Sequence, residues 1–131
     1  MSVHAPPTLG DTETLAGQAL ATIPQRLRKH LGHVVIRVDE FPDEETEAAI
    51  GLDSPFDILG LYRGTALPHK SIDDPRPDPD MIFLYRRPIL DYWCETGEDL
   101  ARLMRHVLIH EIGHHFGFSD EDMARIEAAT D

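Results

Sequence analysis

His110, Glu111 and His114 stand in the spacing His-Glu-x-x-His, followed at fixed offsets by Gly117 and Asp120. On an α-helix, residues four apart lie nearly above one another, about 40° apart around the axis. His110 and His114 can therefore turn two imidazole nitrogens to one ion. Glu111 is displaced by about 100° and one step along the axis. Its carboxylate then lies beside the ion, within reach of a proton on a water that the ion has acidified. A third protein ligand is still required. Gly117 suits the position just past a helix end, where left-handed backbone costs glycine least, and the turn carries Asp120 back towards the histidines. Two imidazoles and one carboxylate leave one position open, the mark of a catalytic rather than a structural zinc site.

With those residues in view, His-Glu-x-x-His-x-x-Gly-x-x-Asp resembles the zincin metallopeptidases, and its extended spacing is similar to that of the metzincins, where the last ligand is usually His rather than Asp. A second resemblance runs through Asp57 to Arg63 (DILGLYR), Met81 to Leu90 (MIFLYRRPIL) and Val107 to Asp122: these stretches look like the small bacterial zincin-like metallopeptidase family. The resemblance implies a minimal zincin-like α+β fold, a Zn(2+) site with Asp120 as third ligand, and a peptide or protein substrate. It also implies that the strand beside the active-site helix pairs with extended substrate, here Met81 to Tyr85. No Met-turn follows the motif; Met123 lies too close to the ligands for that part.

Each residue also has a plainer reading. Asp120 in the first turn of a following helix is a favourable dipole partner without any metal. Glu127 is a competing carboxylate, thirteen positions past His114, and would need a different helix geometry. His106 and His115 are the residues to check for a fourth ligand that would close the site; His115 points about 100° away from His114. His4, His30, His33 and His69 carry no spacing argument. For an oxyanion helper, Tyr62, Arg63 and Tyr85 stay open. Two rival functions stay open as well: a metal-binding module of zincin fold without peptidase activity, and a non-haem iron enzyme built on two His and one carboxylate.

The chain of 131 residues suits one domain, residues 11–131, with a flexible arm at 1–10. Twelve basic against twenty-four acidic residues leave a formal charge of −12, which repels nucleic acid and anionic membranes. Local clusters at Arg26, Arg28, Lys29 and at Arg86, Arg87 read as solvated faces with local ion pairs. Cys94 is the single cysteine, so no intrachain disulfide forms, and it reads as a small buried hydrophobe. No basic-then-apolar leader and no run of about 20 apolar residues is present, so a cytoplasmic protein is expected.

These groups need a scaffold. Leu15, Ala19, Leu20, Ile23, Leu27 and Leu31 recur at helical spacing from about Asp11. Pro24 breaks that helix, Thr22 is placed to cap a second piece, and Gly32 closes it. His33 to Phe41 alternates as a strand, ended by Pro42. Asp43 to Ile50 reads as one or two helical turns anchored by Ala48, Ala49 and Ile50. Phe56 to Tyr62 is a second strand, with Gly60 marking a bulge or a close approach. Thr65 to Asp80 is a proline-rich loop. Met81 to Arg86 is a third strand, and Ile89 to Trp93 a link. Thr96 with Asp99 resembles a capping box for the motif helix, whose buried stripe is Leu100, Leu103, Met104 and Val107. Ser119 caps a last short helix, with Asp122 three residues on. The sum is a small mixed sheet of about three strands with helices packed on it.

Overall fold

The structure is a computed structural model and describes residues 5–32, 34–64 and 80–128. In chain order the elements are α1 (Leu9–Ala21), α2 (Gln25–Arg28), β1 (Val34–Asp39), α3 (Glu44–Ile50), β2 (Gly60–Arg63), β3 (Asp80–Tyr85), α4 (Arg86–Thr96), α5 (Leu100–Phe116) and α6 (Asp120–Ala128). The fold is α+β. Its three-stranded sheet is mixed, in the order β1-β3-β2, with β1 parallel and β2 antiparallel to β3. One hydrophobic cluster unites Ala16 and Ala19 of α1, Leu27 of α2, Val38 of β1, Ile82 and Leu84 of β3, Ile89 of α4, the inner face of α5, and Met123 and Ile126 of α6.

β3 is the buried centre of the sheet. Ile82 and Leu84 are fully covered, as befits an apolar run with a strand on each flank. That corrects one expectation: Met81 to Tyr85 cannot take up a substrate strand, because both of its edges are already hydrogen-bonded. β2 is the edge. Among the described residues it has no second partner strand, and it lies against α5. It is also shorter than the expected Phe56 to Tyr62; Asp57 N–H turns back to Ser54 O at 3.1 Å before the strand begins. A methyl group on Gly60 would stand 2.9 Å from Val107 Cγ1, 3.0 Å from Phe83 O and 3.2 Å from Glu111 Cγ. The expected close approach is real. It is the contact that lets strand and helix meet at the site.

Other boundaries moved for identifiable reasons. Thr8 and Asp11 cap α1 reciprocally, and Pro7 O accepts two bonds from Arg86 at 2.9 and 2.6 Å, so the last residues of the expected arm are tied down. Thr22 ends α1 rather than opening α2; its hydroxyl donates to Ala19 O at 2.6 Å. α3 is held by Thr46, buried and bonded to Asp43 and Arg63, while Ala48, Ala49 and Ile50 face solvent. The link at Ile89 to Trp93 is part of α4. Pro88 sits in that helix's first turn, where its missing N–H costs nothing. α5 starts at Leu100, capped by the backbone of Asp99, whose side chain makes no cap bond. Cys94 is exposed, not buried. The expected loop at Thr65 to Asp80 lies outside the described residues except for Asp80, which opens β3. Arg86 pairs with Glu40 at 2.9 Å and Arg87 lies over the Phe41 ring, the local pairing expected of that basic cluster.

Candidate metal centre and active site

α5 carries the motif because one face of it is wholly apolar. Leu103, Met104, Val107, Leu108, Ile109 and Ile112 are buried, which leaves His106, His110 and His114 on the remaining edge; His115 alone of the α5 histidines is buried. His106, His110 and His114 follow one another at successive four-residue steps along that edge. The helix stops at Gly117, φ 72°, in the left-handed conformation. Phe118 N–H bonds Gly113 O at 2.9 Å and Gly117 N–H bonds His114 O at 3.2 Å, the paired closure that satisfies the last carbonyls. Ser119 and Asp122 then cap α6 reciprocally, at 3.1 and 3.2 Å, as the sequence requires.

α6 returns along α5. Its contact is at Gly113, where the Met123 side chain fills the space that a β-carbon would occupy. Arg105 fixes the far end, donating to Glu127 O at 2.7 Å, Ile126 O at 3.2 Å and Thr22 Oγ1 at 2.9 Å. One arginine thus ties α1, α5 and α6 beside the histidine edge.

Glu111 lies under β2. It accepts a hydrogen bond from the Tyr62 backbone N–H, and burial pushes its carboxyl from the ordinary 4.5 up to about 7, against the lowering effect of that bond. Glu111 and His114 line a cleft of about 320 Å³ with Leu61, Tyr62 and Gly64. His110 is half-buried. Its pKa is lowered by burial first and by the neighbouring His106 second, while Glu127 and Asp120 pull the other way.

The donors are distributed as follows. Asp120 is the first residue of α6 and is exposed; its charge reaches His110, as does that of His114. Among the described residues, the group of three whose ligand atoms all lie within 4.8 Å of one another is His106, His110 and Glu127. His110, His114 and Asp120 are not drawn that close together. Glu127, the carboxylate ranked behind Asp120 on spacing, is therefore at His110, and its Oε1 is 2.6 Å from His106 Nδ1. The geometry it needed is supplied by α6 folding back along α5. Nothing local in sequence announces it. Two imidazoles and a carboxylate are the donor chemistry that a zinc ion takes, so the residues present fit such an ion.

His115 is buried on another side of the helix, its Nδ1 2.9 Å from the Tyr62 hydroxyl and 3.7 Å from Asp80 Oδ2, well placed to hold Tyr62 rather than an ion. The oxyanion candidates also separate. Tyr85 is buried, its hydroxyl pushed up to about 12 by burial. Arg63 is turned to Thr46 and the Phe83 ring. Tyr62 lines the cleft with Glu111.

Compared with known families, residues 31–130 match the zincin-like metallopeptidases. The chain belongs to that family. No curated protein is significantly similar to it. The match spans β1 to α6 and so takes in the sheet, the motif helix and both candidate carboxylate ligands, Asp120 and Glu127. A zincin-like metallopeptidase implies a bound metal, usually zinc, and none of the helices described here is long and apolar enough to cross a membrane.

Proposed function

We propose that this zincin-like protein is a zinc-dependent peptidase in which Glu111 is the general base. The observation that carries the reading is the setting of Glu111: a carboxyl held near pKa 7 by burial, between two motif histidines, facing a cleft bounded by an edge strand. His110 and His114 would hold the metal, with Asp120 from the first turn of α6 as the expected carboxylate. Zinc in such a site supplies a Lewis acid that acidifies water and polarises a carbonyl.

The rest is the work of this chain. Glu111 takes the proton from the attacking water and passes it to the departing amine, a transfer suited to a group with pKa near neutrality. The Tyr62 N–H holds that carboxylate in place. The outer edge of β2, Gly60–Arg63, which has no second partner strand among the described residues, would take an extended peptide beside Glu111 through backbone groups other than the Tyr62 N–H. Tyr62 lines the same cleft, with its hydroxyl bonded to His115, and would be the residue to donate to the carbonyl oxygen as charge develops there. Family membership favours peptide hydrolysis over the iron-enzyme alternative.

Glu111→Gln keeps shape and removes the base. Cleavage of a peptide library should fall by about 100- to 10,000-fold while zinc content is retained. Undiminished hydrolysis by that variant removes Glu111 from the mechanism, and hydrolysis that survives a chelator removes the metal.

A further inference from the structure

His106 is the residue that the motif leaves unexplained. It lies one turn before His110 on the same edge of α5, with ring centroids 4.5 Å apart. Glu127 reaches both from α6. We propose that His106, His110 and Glu127 form a second metal station, one helical turn before the motif pair, which competes with the first for His110.

The donor set is two nitrogens and one oxygen, whose ligand atoms lie within 4.8 Å of one another. Around a tetrahedral zinc, with bonds of about 2.0–2.2 Å, neighbouring donors stand roughly 3.3–3.6 Å apart. Small side-chain rotations therefore close the set, with no movement of either helix. The backbone is already fixed: Met123 on Gly113 and Arg105 on Ile126 O and Glu127 O hold α6 at its distance from α5. His106 is exposed, so an ion arrives from solvent. A cavity of about 500 Å³, lined by His106 and Glu127 with Leu59, Tyr92 and Arg102, leaves room for a fourth ligand.

Sharing His110 has a consequence. A neutral imidazole carries one lone pair for a metal, so His110 serves one ion at a time. An ion seated with His106 and Glu127 takes His110 away from His114, and the protein is then metal-bound but without its motif site. The station itself does not depend on peptide hydrolysis; only the competition rests on that reading.

The test is cobalt(II) titration of the full chain after metal removal, read by visible absorption and calorimetry, with circular dichroism to verify folding. His114→Ala combined with Asp120→Asn dismantles the first station and should still bind one cobalt. Adding Glu127→Gln to that pair should weaken binding by more than about 100-fold, beyond the 10- to 100-fold typical of losing an outer partner. A folded double variant that takes up no cobalt overturns the station, and so does a triple variant that binds as tightly as the double. Should the double variant fail to fold, His114→Ala alone, at an exposed position, is titrated in its place with the same two outcomes. Loss of peptide cleavage in the wild type would defeat the peptidase reading and leave these titrations unaffected.

Discussion

Glu111 holds its proton to about pH 7 because the ionised form gives up water for a mostly apolar surrounding and recovers only part of that through the Tyr62 N–H. The folded pKa lies above the ordinary 4.5, so in the metal-free protein the folded state binds the proton more tightly than the unfolded one. Stability must then fall as pH rises from about 4.5 to about 7, and level off above it. The Glu111→Gln protein lacks this loss. Melting curves of the two metal-free proteins should diverge through that window, with the variant ahead at the alkaline end; parallel curves would show that the carboxyl is better solvated than its position implies. That His110 and His114 fall on one edge of α5, with Glu111 one step on from His110, was legible in sequence because a four-residue step on a helix is local geometry. His106 with Glu127 was not. Twenty-one positions separate them, and their meeting depends on how α6 crosses α5, which is set by Met123 filling the space over Gly113. Cys94 misled for a similar reason: among the described residues it falls on an exposed side of α4, which composition does not record.

Among the elements, β2 matters most for its size. Its ladder to β3 runs over just Gly60–Arg63, yet this short edge brings Tyr62 to Glu111. Gly60→Ala tests how closely strand and helix must approach. The added methyl meets Val107 Cγ1 and the Phe83 carbonyl, and the backbone partner cannot yield. Crowding of this kind costs about 1–3 kcal/mol, more than the ~0.4–1 kcal/mol gained by stiffening the unfolded chain. Denaturant unfolding should show a net loss; a stabilised variant would mean that β2 moves freely on α5. Alternation exposed β1 and the apolar run exposed β3, but sequence could not give β3 two neighbours, since pairing order is decided by connections rather than by the strands themselves. α4 was concealed by Pro88, which usually breaks helices but is harmless in a first turn.

For the molecule as a whole, the charge of −12 sets the long-range behaviour. Like charges oppose compaction, and the Debye length shrinks from about 30 Å at 0.01 M salt to about 8 Å at 0.15 M. The metal-free protein should therefore melt at higher temperature as sodium chloride is raised across that range, and positively charged peptides should lose affinity over the same range. A melting temperature indifferent to salt would mean that the acids are locally compensated.

The arrangement of donors around Gly117 also bears on how the molecule is made. Every imidazole of the candidate centre precedes that glycine, as Glu111 does, whereas the two candidate carboxylate ligands, Asp120 and Glu127, follow it on α6. While the ribosome is still extending the chain, the histidine edge emerges first and meets cellular metal without its acidic half. The complete centre can exist only after α6 has cleared the exit tunnel and seated Met123, so metal loading waits on that helix rather than on the motif itself.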